Sequence, residues 1–169
     1  MISHALVLFV LPALLLAAAA WDLASFTIPN FLQAGLLAAF ALLMAVHPIG
    51  AGAFGMHLLA GFIGLVAGFT LFSFGYIGGG DAKLFACTAL WFGMDDLLAY
   101  ALVASVFGGA LTLGLLAMRN WPLPAPLASQ NWLSRLHDER EGIPYGAALA
   151  AGAFFILSQS EIFHSALAS

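Results

Sequence analysis

Charge is scarce in this chain: only 7% of its 169 residues carry it, as four Lys or Arg and eight Asp or Glu. So few cations exclude a nucleic-acid partner, whose phosphates need a basic stripe or patch. Cysteine is rarer still. Cys87 stands alone, which excludes an internal disulfide framework and any Cys-based zinc cluster. Long polar stretches are missing too, leaving no room for a separate soluble domain. What fills the chain is hydrocarbon, with 63% hydrophobic residues and a mean hydropathy of +1.05, far from the composition of a soluble domain. These values describe an integral membrane protein, read as one domain over residues 1–169.

A bilayer core of about 30 Å takes ~20 apolar residues per helical crossing, so the chain has room for roughly six. Apolar runs place spans near 4–22, 30–46, 52–74, 82–93, 96–118 and 144–160. The expected fold class is therefore an all-α membrane protein of six transmembrane helices. The opening MISHALVLFVLPALLLAAAAWD has a signal-like AAA, but it lacks a basic n-region and is about as long as a full span. A retained first helix is expected. The one long connection, 119–142, starts rich in proline and then carries Trp132, Leu133 and Leu136, the pattern of a short interfacial helix.

Lys83, Arg119, Arg135 and Arg140 all fall on one side of the six-span arrangement. By the positive-inside rule that side is cytoplasmic, and both termini are expected on the other side. The N-terminus, 47–51, 94–95 and the C-terminal tail carry no Lys or Arg.

Carboxylates near a bilayer core are costly and point to function. Asp22 closes span one and Asp81 opens span four; two crossings separate them, so both lie at the cytoplasmic edge. Span four is only about 14 residues, ~21 Å of helix. Either the outer side is pinched there or Asp81 is recessed in a wet cavity. The glycines of GYIGGGDAKL at 78–80 permit unusual dihedrals and close approach of another backbone, as an extended peptide substrate needs. Two carboxylates a few ångströms apart do not both ionise readily, so one can activate water while the other donates a proton. That is a metal-free acid/base pair for peptide hydrolysis, with no cofactor. The plain alternative is structural: Asp81 as an N-cap and Asp22 as a solvated helix end.

Other polar residues have simpler readings. Asp95 and Asp96 are expected to cap span five, His57 to make a hydrogen bond between helices, and Asp138, Glu139 and Glu141 to form a solvated loop face with Arg135 and Arg140. Lys83 is expected to snorkel to the interface. Gly61, Gly64, Gly68, Gly108 and Gly109 read as sites of close helix packing.

WDLASFTIPNFL at 21–32, followed by GGGDAKL at 78–84, resembles the type IV prepilin peptidases, membrane aspartyl proteases of the Gly-x-Gly-Asp class. Asp22 with Ile28, Pro29 and Asn30 fits the first family element; Gly78, Gly80, Asp81 and Lys83 fit the second. IPYGAAL at the start of span six looks like the family's end. The resemblance implies Asp22 and Asp81 as catalysts, with Gly78, Gly79, Gly80, Lys83, Ile28, Pro29 and Asn30 around the substrate. It implies cleavage of the leader of a prepilin or pseudopilin precursor at the cytoplasmic face of the bacterial inner membrane. The small size looks like the peptidase-only branch serving tight-adherence (Flp-type) pili, without the paired-cysteine domain and N-methyltransferase activity of larger relatives. One departure is LASFT after Asp22, where family members often carry basic residues.

Two other readings fit the residues less fully. Another Gly-x-Gly-Asp intramembrane protease would differ in substrate. A proton-coupled transporter or small membrane scaffold would use the carboxylates to bind protons or fix helices, but the spans carry few polar groups for a solute path.

Overall fold

The computed structural model describes residues 2–160, except 125, 127, 128 and 139. Glu139 and the tail 161–169, whose charge roles were anticipated above, lie outside the described residues. Among those residues the chain is helical, with no strand. Helix α1 runs Ile2–Ser25, α2 Asn30–Val46, α3 Ala51–Ser73, α4 Gly79–Arg119, α5 Asn131–His137 and α6 Tyr145–Leu157. In α1 a π-helical turn at Leu6–Val10 precedes Pro12, whose missing N–H and crowding ring disturb the preceding turn. Three helices, α1, α3 and α4, are long and apolar enough to cross a membrane, and α2 and α6 are shorter apolar helices.

Spans four and five were expected as separate helices, and the 41 residues of α4 are two helices joined across a kink at Gly93. There φ is 71° and ψ −174°, a combination essentially confined to glycine. Phe85 and Tyr100 are 15 residues apart and would be about 22 Å apart along a straight helix. Their ring centroids are 5.2 Å apart and stacked. The chain therefore doubles back at Gly93, with a first arm at 79–92 and a second arm at 94–119.

The turn is held by α3. His57 lies against Gly93, and its Nδ1 is 2.8 Å from the Leu90 carbonyl, one of the carbonyls left without a helical partner where the first arm ends. That is the inter-helix hydrogen bond expected for His57. Asp95 and Asp96 occupy the first turn of the second arm, where the helix dipole favours negative charge.

Small residues bring α3 onto the first arm. Methyl groups placed on Gly61, Gly64 and Gly68 would lie 3.1 Å from Leu90, 2.9 Å from Ala89 and 2.9 Å from Ala82. Close packing, as expected, is the role of these three. Gly108 similarly meets the Tyr145 ring at 3.4 Å, but Gly109 has nothing within 4 Å and faces open space, contrary to expectation. On the far side of the first arm, Trp91 donates its indole N–H to the Leu36 carbonyl of α2 at 3.0 Å and packs on Phe40. Phe62, Leu65, Val66 and Phe69 on α3, and Leu98, Leu102 and Val106 on α4, remain exposed. Such an apolar exterior suits lipid.

The two arms differ in length. Asp81 stands 12 residues before Gly93 and Arg119 stands 26 after it; at ~1.5 Å per residue the second arm extends about 20 Å past Asp81. Of the two explanations for a short span four, recession of Asp81 is the one these lengths favour. The short helix in the long connection is present as α5, but its apolar residues divide: Leu136 is buried while Trp132 is exposed.

Gly93→Ala should destabilise the fold by about 1–3 kcal/mol, because alanine is strained at this φ and ψ. Its methyl group would also stand 3.2 Å from the His57 ring. Thermal unfolding in detergent measures the effect, and an unchanged midpoint would contradict the folded-back α4.

Candidate active site

The residues of WDLASFTIPNFL each have a distinct structural task. Asp22 lies in the last turn of α1 and is 3% exposed. Four residues on, Phe26 takes a left-handed conformation (φ 54°) and donates its N–H to the Asp22 carbonyl at 2.7 Å, ending α1. A bulky aromatic is unusual in this region and its cost must be met by its surroundings. Here the Arg135 guanidinium of the long connection sits 5.3 Å from the centre of the Phe26 ring, and Arg135 also pairs with Glu141 at 3.2 Å. Pro29 is extended and Asn30 begins α2.

Ile28, between these points, is buried against two glycines. A methyl group on Gly80 would lie 3.2 Å from Ile28 Cβ, and one on Gly146 would lie 2.6 Å from Ile28 Cδ1. Glycine at both positions lets α4 and α6 close on Ile28 from two sides.

The second motif is a helix start. Asp81 is 6% exposed, and its Oδ2 accepts the Gly78 N–H at 3.0 Å, the reciprocal half of a capping box. Gly79 packs against Phe72, so the chain's own side chains line all three glycines. Two bonds then tie this start to α2: Lys83 Nζ donates to Asn30 Oδ1 at 3.0 Å, and Gln33 Nε2 donates to the Gly80 carbonyl at 3.3 Å. Lys83, expected to snorkel or to meet substrate, is thus bonded to a residue of the first motif.

The two motifs converge on a third element. Asp22 Oδ2 accepts the Ala147 N–H at 3.3 Å, and the Gly146 N–H acts on both Asp22 and Asp81. The two carboxylates are also close enough to act on each other's charge. The first turn of α6 therefore adjoins both aspartates, and the Ala147 N–H is shared between the Pro144 carbonyl, at 3.3 Å, and Asp22. Arg119, at the end of α4, holds the approach to that turn. Its guanidinium donates to the carbonyls of Leu136 at 2.9 Å, Glu141 at 3.3 Å and Gly142 at 3.1 Å.

No role in the site was foreseen for Gly146, Ala147, Phe26 or Arg119. Pro-Tyr-Gly at the start of the last apolar run was the available signal, a helix start whose glycine has no turn to make. Among the described residues, no three His, Cys, Asp or Glu side chains are grouped as they would be to hold a metal ion.

Two buried carboxylates at adjoining helix termini, with room only for glycine beside them, are an arrangement capable of acid/base chemistry. The sequence profile of the type IV leader peptidase family matches residues 9–113, more than half of the chain. The chain belongs to that family. Searches of curated proteins and of solved structures each find no match. Membership makes the chain a peptidase with a prepilin-type substrate, and with its long apolar helices it fits a multi-pass membrane protein. The matched region contains both aspartates but ends before α6, so the contacts from Gly146 and Ala147 are a contribution of the structure.

Gly146→Val should abolish peptidase activity. Even its first added carbon would fall 2.8 Å from Asp22 Oδ2 and 2.6 Å from Ile28. Cleavage by a variant verified to insert and to retain its helix content is the check, and activity near wild type would remove α6 from the site.

Proposed function

We propose that this chain is an aspartic endopeptidase that removes the leader of Flp-type prepilins at the cytoplasmic face of the bacterial inner membrane, with Asp22 and Asp81 as its catalytic pair. The observation that carries this reading is the meeting of two buried carboxylates, from helices far apart in sequence, at the first turn of α6. Structural caps have no need to converge in this way.

Two facing carboxylates hold one proton between them. The ionised member takes a proton from water, whose oxygen attacks the scissile carbonyl as the protonated member donates to the carbonyl oxygen. Collapse of the tetrahedral intermediate breaks the C–N bond: the carboxyl that received the water's proton passes it to the leaving amine, and the other carboxylate takes back the proton from the former carbonyl oxygen, restoring the one-proton pair. The proton is shared, so neither aspartate has a fixed role. Residues 28–30 and 78–80, with Lys83, form the surroundings that the scissile segment meets.

The charge map supports cytoplasmic cleavage. Lys83 bonds Asn30, Arg119 bonds the loop leading to α6, and Arg135 lies over Phe26, so these cations gather at the carboxylates' end of the bundle. Six crossings follow if α1, α2, α3, the two arms of α4 and α6 each span, and both termini then face outward. The connection 119–142 has no cysteine, which supports peptidase activity without N-methylation.

Asp22→Asn and Asp81→Asn each preserve size while removing the ionisable carboxyl, and each should abolish cleavage of an Flp-type prepilin in liposomes. Retained cleavage by either correctly inserted variant would remove that residue from the pair. Reporters fused to the two termini should both be found outside the cytoplasm; an interior C-terminus would overturn the six-crossing arrangement.

A further inference from the structure

Among the described residues, Phe26 is the one non-glycine residue with a left-handed backbone, and it comes directly after the helix that ends with Asp22 in its last turn. In a bulky residue this conformation persists only where the surroundings over-determine it, and such outliers gather at functional sites. Local bonds explain part of the turn. The Phe26 N–H closes α1 on the Asp22 carbonyl at 2.7 Å, and Ser25 Oγ lies 2.9 Å from Thr27 Oγ1. Neither bond holds the Phe26 ring. That contact comes from α5 in the long connection, where the Arg135 guanidinium lies 5.3 Å from the ring centre, within the ~6 Å reach of a cation–π contact.

Arg135 is itself fixed in place. Its Nε donates to Glu141 Oε1 at 3.2 Å, and Arg119 takes the carbonyls of Leu136, Glu141 and Gly142 on either side of that pair. Leu136 is buried, so α5 is seated as well as tied. From Gly142 the chain enters α6, whose Ala147 N–H donates to Asp22 Oδ2. The contacts thus form a closed circuit, from Asp22 through Phe26, Arg135, Glu141 and the start of α6 back to Asp22.

The backbone at Phe26 decides where Ile28 goes. A right-handed Phe26 would continue α1, whereas the left-handed turn sends the chain out of the helix and leaves Ile28 buried between Gly80 and Gly146. Gly80 immediately precedes Asp81, and Gly146 lies against the Asp22 carboxylate. Withdrawing Ile28 would remove the side chain that spaces α4 from α6 beside both carboxylates.

We infer that Arg135 is a positioning residue for the two aspartates: by holding the Phe26 ring it keeps the left-handed turn that seats Ile28 between Gly80 and Gly146, and so fixes how Asp22 and Asp81 meet. The inference rests on the peptidase reading for its effect on rate, but its effect on the position of Ile28 is independent of that reading. Arg135 reaches the reacting atoms only through Phe26 and Ile28, so its loss acts on kcat rather than KM.

Glycine takes the left-handed conformation without the penalty phenylalanine meets, so Phe26→Gly makes Arg135 dispensable. Cleavage of an Flp-type prepilin in liposomes is compared for four correctly inserted chains: wild type, each single variant and the double variant. Arg135→Ala should lower kcat about tenfold when position 26 is phenylalanine and less than about twofold when it is glycine, with KM little changed in both. Equal losses in the two backgrounds, no loss in either, or a loss carried by KM would overturn the inference.

A second measurement reads position without cleavage. In a Cys87→Ala chain, Ile28→Cys is labelled with a water-soluble maleimide. Arg135→Ala should speed labelling about tenfold when position 26 is phenylalanine and leave it unchanged when position 26 is glycine. Labelling indifferent to Arg135 in both backgrounds would overturn the inference while leaving the peptidase reading intact if wild type cuts the prepilin. If no chain cuts the prepilin while labelling follows the expected pattern, the peptidase reading fails and the positioning of Ile28 by Arg135 stands.

Discussion

Two carboxylates buried within a few helical turns of a bilayer need hydrogen-bond donors, and the first turn of α6 supplies them. Gly146 and Ala147 stand there, the Ala147 N–H shared between the Pro144 carbonyl and Asp22, and Asp22 and Asp81 are brought to them from opposite parts of the sequence. The surrounding architecture serves this meeting. Phe26 ends α1 so that Asp22 closes the helix, Ile28 fills the space between Gly80 and Gly146, and the Lys83–Asn30 bond joins the second motif to the first. Each contact is short, so a single methyl group at Gly146 collides with both the Asp22 carboxylate and its apolar neighbour Ile28.

The depth of the site has a separate cause. The reversal at Gly93 divides α4 into arms of unequal length, setting Asp81 well inside the level of Arg119. Arg119 then spans the recess from the longer arm, holding the loop that delivers α6 to the aspartates. Peptide hydrolysis needs water and a polar backbone at a depth where lipid offers neither. A recessed floor walled by protein meets that need while leaving the surrounding helices apolar toward the membrane.

The same arrangement gives a physical meaning to the two motifs. WDLASFTIPNFL is a helix end, a left-handed cap, an apolar plug and a helix start in succession; GGGDAKL is a capped helix start whose glycines accommodate neighbouring side chains. Their order and spacing reflect two helix termini that must face one another across α2.

Much of this was legible in the sequence because bilayer physics is local. Apolar run length set the helices, the placement of four cations marked one end of the bundle, and the rarity of intramembrane carboxylates singled out Asp22 and Asp81. His57 and the Gly61, Gly64 and Gly68 stripe were readable for the same reason, since a polar group or a row of small residues within a span has few uses. The partners of the aspartates were not readable. Gly146 lies 124 residues after Asp22 and resembles the other glycines of the apolar runs. Gly108 and Gly109 are adjacent and chemically identical, yet one packs on Tyr145 and the other faces open space. Composition and spacing determined that the chain is helical and apolar and singled out two carboxylates near its helix ends. Only tertiary packing decided which backbone donors they share, how deep they lie and which side of the bundle stays open, because those depend on how helices distant in sequence approach one another.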